Sequence, residues 1–261
     1  MTTLQGSWIW YELMTPDVLG SKAFYEAVIG WSITPGSEQT NHYGFIANGD
    51  GGMTGGVLPL TDDMTAHGAR PCWLGYIGVD NVDASCAAIE AADGKVLMPA
   101  RDVPMAGRIA MVADCCGAPF YIMTPTPPPG GGESTSFSAL PNPGRCGWNE
   151  LYAGNLAKAE AFYTDRFGWT LPAPMDMGPM GKYQFIAHDG VTIGAMMAKP
   201  EAVPVPVWCH YFWVASIGAA KNLIETNGGQ VINGPHEVPG PLWIVQAIDP
   251  QGALFSLVGH P

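Results

Sequence analysis

Residues 10–31 read WYELMTPDVLGSKAFYEAVIGW, and residues 148–169 read WNELYAGNLAKAEAFYTDRFGW. At a constant offset of 138, Trp10/Trp148, Glu12/Glu150, Leu13/Leu151, Ala23/Ala161, Phe24/Phe162, Tyr25/Tyr163, Gly30/Gly168 and Trp31/Trp169 coincide. Identity at eight of 22 positions makes the chain an internal duplication. Each copy parses in the same way. Ser7 to Leu13 is rich in β-formers and reads as a strand. Asp17, and Asn155 in the second copy, then stand where a helix N-cap belongs, with a side chain able to accept from the free amides of the first turn. Val18, Ser21, Tyr25 and Ile29 recur at helical spacing, as do Leu156, Ala159, Tyr163 and Phe167. Gly30 and Gly168 end the helices, because glycine takes the left-handed cap without strain.

Two strands follow each helix, at 43–49 and 53–60 in the first copy and at 183–189 and 191–198 in the second, with one more short strand expected near 31–34. A second repeat lies inside each half. Strand 73–80 leads to the cap Asn81, a helix running to Gly94, and strands 107–113 and 118–124 joined at Asp114-Cys115-Cys116-Gly117. Its counterpart, at an offset of 135, is strand 208–214, the cap Ser216, a helix ended by Gly228-Gly229, and strands 242–248 and 253–259 joined at Asp249-Pro250-Gln251-Gly252. The expected fold class is α+β, with four βαβββ units paired into two domains. Residues 125–144, PTPPPGGGESTSFSALPNPG, have the composition of a semi-extended connector. The expected boundaries are 1–124, a linker at 125–144, and 145–261.

A net charge of -12 with 11 scattered basic residues excludes a nucleic-acid backbone as partner, since displacing its counterions needs clustered Lys and Arg. No apolar run approaches the roughly 20 residues that span a bilayer, and MTTLQGSWIW does not read as a signal peptide. The six cysteines show no CxxC spacing, which reads as reduced thiols in a cytoplasmic protein.

Four such units, with six residues between Asp17 and Phe24-Tyr25 and with Gly30-Trp31 after the helix, resemble the vicinal-oxygen-chelate superfamily of glyoxalase I, bleomycin-resistance proteins and extradiol dioxygenases. The DPQG turn at 249–252 and the VDNVDA stretch at 79–84 carry the same resemblance. It covers almost the whole chain outside the connector and is nearest to two-domain glyoxalase-like proteins. It implies two curved eight-stranded sheets, each with helices outside and a concave cup for a small ligand. It also implies where metal-using members hold their ion. Transferred to this chain, those positions carry Trp10 and Trp148, Leu74 and Cys209, and Tyr121 and Ser256. A hard or borderline divalent ion needs imidazole or carboxylate donors, so neither a metal nor another cofactor is expected.

Alternation along a strand puts residues two apart on one face. With Trp10 and Trp148 at the old ligand positions, Glu12 and Met14 share the first cup's face, and Glu150 and Tyr152 the second's. Tyr76, Tyr121 and Met123 are assigned to the first cup, and Cys209, Tyr211, Trp213 and Ser256 to the second. Glu12 and Glu150 are the candidate acid–base groups, because a carboxylate walled by aromatic rings is desolvated, its pKa raised towards that of a proton-transfer group. The alternative is that each glutamate accepts hydrogen bonds and braces the sheet. Tyr76 and Tyr211 are candidate partners in catalysis, and Trp10, Trp148, Tyr152, Trp213, Tyr121, Cys209 and Ser256 are candidate substrate contacts. The two tryptophans either stack on a flat ligand or plug the emptied metal position. By alternation His210 faces away from the cup as a core histidine. His188 is expected to be exposed near its hairpin, and Met175 to Met180 resembles a mobile lip.

These readings describe a small-molecule protein, with a lyase or isomerase moving a proton on a carbonyl or aromatic compound as the first expectation. A binding protein that sequesters a drug or metabolite, and a metal-dependent lyase or dioxygenase with displaced ligands, are the alternatives. A monomer is expected, with a homodimer as the alternative.

Overall fold

A computed structural model describes residues 4–127 and 134–261. Its elements are β1 (Trp8–Thr15), α1 (Val18–Val28), β2 (Ser32–Thr34), β3 (Gly44–Ala47), β4 (Met53–Pro59), α2 (Asp62–Ala66), β5 (Cys72–Gly78), α3 (Val82–Glu90), β6 (Lys95–Val103), β7 (Gly107–Ala113) and β8 (Pro119–Pro125) in the first half. The second half contains β9 (Cys146–Ala153), α4 (Leu156–Phe167), β10 (Met175–Asp176), β11 (Lys182–His188), β12 (Val191–Ala198), β13 (Val207–Ser216), α5 (Ile217–Thr226), β14 (Gln230–Val238), β15 (Leu242–Ile248) and β16 (Leu254–His260). They form two eight-stranded mixed sheets with the same connectivity, β2-β3-β4-β1-β5-β8-β7-β6 and β10-β11-β12-β9-β13-β16-β15-β14. Neither sheet closes on itself, and the fold is α+β as the repeats imply.

The local reasons are those of the sequence. Asp17, Asn81, Asn155 and Ser216 each accept from a backbone amide in the first turn of α1, α3, α4 and α5. Each of these helices is the crossover that lets its preceding strand pair in parallel, β1 with β4, β5 with β8, β9 with β12 and β13 with β16. The short strand expected near 31–34 is β2. Three strands were not legible, the two-residue β10 and the longer β6 and β14. β6 and β14 are edge strands whose pairing with β7 and β15 shifts register twice each. Pro99 in β6 and Gly234-Pro235 in β14 interrupt the alternation that marks a strand, as edge strands tolerate.

By contacts the chain divides into two compact bodies. One draws its described residues from Met1–Ile9, Gly75–Glu133 and Trp148–Trp208; the other comprises Trp10–Leu74, Ser134–Gly147 and Cys209–Pro261. In the first body the core is aromatic: Tyr163 stacks on Trp169 at 5.2 Å and meets Trp208 edge-on at 5.3 Å. The Trp208 indole donates to the Tyr163 hydroxyl (2.8 Å), which donates to Asp114 Oδ2 (3.3 Å). The second body repeats the arrangement. Trp73 donates to Tyr25 (2.9 Å), Tyr25 donates to Asp249 Oδ2 (2.9 Å), and Phe212 packs on Trp31 and Trp73. Burial, and then the adjacent carboxylate, raise both phenols well above their ordinary pKa, so they stay protonated donors.

The end of the expected connector is not loose. Residues 128–133 lie outside the described residues, but Thr135 bonds both the amide and the carbonyl of Met53, and Ser138 accepts from the Trp213 indole (2.9 Å). Gly144 sits at φ +86, and its carbonyl accepts from Trp31 Nε1 and Thr54 Oγ1, both at 2.7 Å. A Cβ there would lie 2.3 Å from Asn48 Oδ1. Gly144→Ala should therefore destabilise the protein by more than about 1 kcal/mol, through both the left-handed backbone and the contact; urea unfolding measures it.

His188 differs from expectation. It is buried, with Nε2 donating to the Gln5 carbonyl at 2.8 Å. The hairpin position that would expose it is covered by the chain before β1. The stretch Met175 to Met180 forms β10 and a 3-10 turn, in which Asp176 caps Gly178 and Met180 is exposed.

Candidate active site

In the first body β9 places Trp148, Glu150 and Tyr152 on one face. β12 runs parallel to it with Ala195 opposite Glu150, and β11 lies beyond β12 with Phe185 opposite Ala195. Tyr183, also on β11, reaches back. The Trp148 indole donates to the Tyr183 hydroxyl (2.9 Å), and that hydroxyl donates to Glu150 Oε2 (2.5 Å). Phe185 holds both rings edge-on, 6.1 Å from Trp148 and 5.6 Å from Tyr183. Glu150 is 7% exposed, whereas Trp148, Tyr152 and Tyr183 are half-buried. The result is a buried carboxylate bonded to a half-buried phenol, which a half-buried indole bonds in turn. Burial and the negative charge of Glu150 hold the Tyr183 pKa well above its usual value. Tyr183 is thus a hydrogen-bond donor rather than a base.

The second body repeats the indole–phenol pair and also buries its glutamate. Trp10 on β1 donates to the hydroxyl of Tyr43, just ahead of β3 (2.8 Å), and Glu12 is 2% exposed. Gly56 stands opposite Glu12, and a Cβ on it would fall 2.2 Å from the Tyr43 hydroxyl. Glycine is required there to let the phenol lie across β4. Gly56→Ala should displace Tyr43 from Trp10, read as a change in tryptophan emission. Cys72 also faces this region, its sulfur 4.0 Å from Met14 Sδ. Burial, and then Glu12, push its thiol pKa up to about 12, so it is not a nucleophile at neutral pH.

Tyr43 and Tyr183 are the residues that sequence reasoning missed. The signal was present in Tyr43-Gly44-Phe45-Ile46-Ala47 and Tyr183-Gln184-Phe185-Ile186-Ala187, at an offset of 140 rather than 138.

The remaining candidates fall into three groups. Tyr76 and Tyr121 are register partners in the first body, stacked with centroids 4.3 Å apart and both buried. In the second body Tyr211, Ser256 and Gln246 lie at one level across β13, β16 and β15. Gln246 donates to the Tyr211 hydroxyl and accepts from Asn233, both at 2.9 Å. Ser256 is fully buried, and no described residue hydrogen-bonds its Oγ. Trp213 is buried with its indole N–H committed to Ser138, and Cys209, four residues earlier on β13, is also buried. His210 is a core residue, 2% exposed and edge-on to Tyr11 at 5.0 Å, and burial alone lowers its pKa to about 3.

Comparison with known proteins agrees with this architecture. A family model described as "Glyoxalase/Bleomycin resistance protein/Dioxygenase superfamily" matches residues 9–122 and 145–257. The chain belongs to this superfamily. Among its relatives, "Putative glyoxylase CFP32" of Mycobacterium tuberculosis is 29% identical over 258 residues, covering 97% of this chain and 95% of the relative. "Anthracycline biosynthesis protein DnrV" of Streptomyces peucetius is 29% identical over 272 residues, covering 98% and 95%. Among solved structures, the 2,3-dioxygenase LapB of Pseudomonas sp. KL28 superposes with a TM-score of 0.63 at 15% identity, covering 98% of this chain and 95% of that one. The Mn(II)-bound glyoxalase of Novosphingobium aromaticivorans gives 0.66 at 16% identity, covering 97% and 82%. At such identities these two structures bear on the fold alone.

Members of the superfamily that use a metal raise the question of whether this donor set fits one. The transferred ligand positions carry two indoles, a leucine, a thiol, a phenol and a hydroxyl. Among the described residues no group of three or more His, Cys, Asp or Glu is placed to hold an ion. Glu150 already accepts from Tyr183. These residues do not fit a hard or borderline divalent ion. Among the described residues no helix is long and apolar enough to cross a membrane.

Proposed function

We propose that this superfamily member binds a small carbonyl or aromatic molecule against the Trp148–Tyr183–Glu150 device and moves a proton on it without a metal. The reaction class is lyase or isomerase. One observation carries the reading: a buried carboxylate receives a 2.5 Å hydrogen bond from a phenol whose own acidity is suppressed and which a half-buried indole bonds in turn. In such a pair the carboxylate is the group that gives and takes a proton, and the phenol, once it swings from Glu150 to a ligand oxygen, is the group that holds developing negative charge. Trp148 and Tyr152 supply flat surface for stacking. A relative named for anthracycline biosynthesis makes a flat polycyclic ligand a suitable first probe.

The test is tryptophan quenching and product analysis with a panel of aromatic aldehydes, quinones and an anthracycline. Glu150→Gln should lower turnover of the accepted compound by about 10²–10⁴-fold, the span of general acid–base catalysis. Tyr183→Phe should lower kcat more than it raises KM. Unchanged turnover in Glu150→Gln, or no quenching by any member of the panel, would sink the proposal. The second reading is a sequestering binding protein, favoured by the half-buried Trp10 and Trp148 and by the doubling of the indole–phenol pair. Binding that survives Glu12→Gln and Glu150→Gln, with no product from the wild type, selects it.

A further inference from the structure

The turn joining β7 to β8 is Asp114-Cys115-Cys116-Gly117, and the turn joining β15 to β16 is Asp249-Pro250-Gln251-Gly252. They are built alike. Asp114 Oδ1 accepts from the amides of Cys116 (2.8 Å) and Ala118 (2.9 Å); Asp249 Oδ1 accepts from those of Gln251 (2.9 Å) and Ala253 (2.8 Å). Since Pro250 and Gln251 build the same turn, no thiol is needed for its shape. Yet in the first turn two adjacent sulfurs converge to 3.9 Å. Both are half-exposed, while Cys86, Cys146 and Cys209 are buried. Asn155 O lies 4.0 Å from Cys116 Sγ, and a Cβ on Gly154 would fall 3.2 Å from Cys116 Cβ, so one side of the pair is walled by the chain entering α4.

We propose that Cys115 and Cys116 form a two-thiolate chelate for a soft cation of low coordination number, of the copper(I) kind. The donor set decides the class. Thiolate sulfur selects soft ions. Asp114 is already committed to the fold, its Oδ1 to two amides and its Oδ2 to Tyr163. Among the described residues no third His, Cys, Asp or Glu completes a cluster, so a four-coordinate zinc centre lacks half its ligands. Two sulfurs already drawn together suffice for an ion that accepts two. On binding, two S–H bonds break, two sulfur–copper bonds form, two protons leave and the ion keeps its oxidation state.

The full chain, reduced and kept free of oxygen, is titrated with copper(I) in competition with a chromophoric copper(I) chelator. One ion per chain and two released protons are expected. Cys115→Ser and Cys116→Ser should each weaken binding by about 100-fold or more, the loss when a bidentate contact becomes monodentate. Cys115→Pro combined with Cys116→Gln installs the residues of the other turn, and with a native far-UV spectrum it should bind no better than the single variants. Cys72→Ser should leave affinity unchanged. Equal affinity in Cys115→Ser and wild type, loss of the site on Cys72→Ser, or no capture from the chelator would overturn the assignment.

Discussion

Asp249→Ala removes about 3 kcal/mol of stability or more, because it strands several buried donors at once. Its Oδ1 satisfies the amides of Gln251 and Ala253, and its Oδ2 accepts from Tyr25, which in turn accepts from Trp73. Alanine offers none of these donors an acceptor, and the turn between β15 and β16 loses its brace. Tyr25→Phe leaves both amide bonds of the turn intact but removes the bond to Asp249 and the one from Trp73, for about 1–2 kcal/mol. The two losses share a contact and should add up to more than the double variant shows, by about 1 kcal/mol in a double-mutant cycle. The first body offers a parallel in Asp114, Tyr163 and Trp208. Denaturant unfolding that finds Asp249→Ala within about 0.5 kcal/mol of wild type, the range of surface changes, would remove the basis for treating these aspartates as structural.

The second large effect is on acid stability and belongs to His210. In the unfolded chain an imidazole takes up a proton below about pH 6.5, whereas burial holds the folded His210 neutral down to about pH 3. Its folded pKa is depressed, so its stabilising contribution is fully present above the unfolded value and is lost as pH falls towards about 3. Within that window the loss approaches 1.4 kcal/mol per pH unit, one proton being taken up on unfolding. Asp114 and Asp249 act with the opposite sign. Burial raises their folded pKa, so their contribution is fully present below the unfolded carboxylate value and is lost as pH rises through the raised one. His210→Phe, with Phe212 and Tyr11 as neighbours, should remove the histidine slope and expose this opposing trend. Whatever it does to stability at neutral pH, a slope unchanged from wild type between pH 4 and 6 would contradict the assignment.

Much of the architecture was legible because it is written twice. Capping residues at Asp17 and Asn155, glycines at 30 and 168, and the Asp-initiated turns at 114 and 249 recur with fixed offsets, and each has a backbone reason to exist. What escaped notice broke the periodicity. β6 and β14 carry prolines and register shifts, so their alternation is not a clean period of two. His188 falls on a hairpin, a place that local pattern reads as exposed; its burial depends on Gln5, 183 residues away in sequence. Among the candidates, Glu12, Glu150, Trp10 and Trp148 were read from alternation along one strand of each copy. Tyr43 and Tyr183 were not, because they reach across from the residue before β3 and from β11, and the second copy is two residues longer before that strand. A residue that enters a site from another strand leaves no mark in the spacing of the first.

The proposed ligand device works with a carboxylate, a phenol and an indole and without an ion, its Trp148 standing at one of the transferred metal-ligand positions. Metal analysis of protein isolated without chelators, paired with ligand quenching before and after chelator treatment, bears on this most directly. Far less than one zinc, nickel, iron or manganese per chain is predicted, with quenching of Trp148 unaffected by the chelator and abolished by Trp148→Phe. One such ion per chain, whose removal abolishes ligand binding, would contradict it.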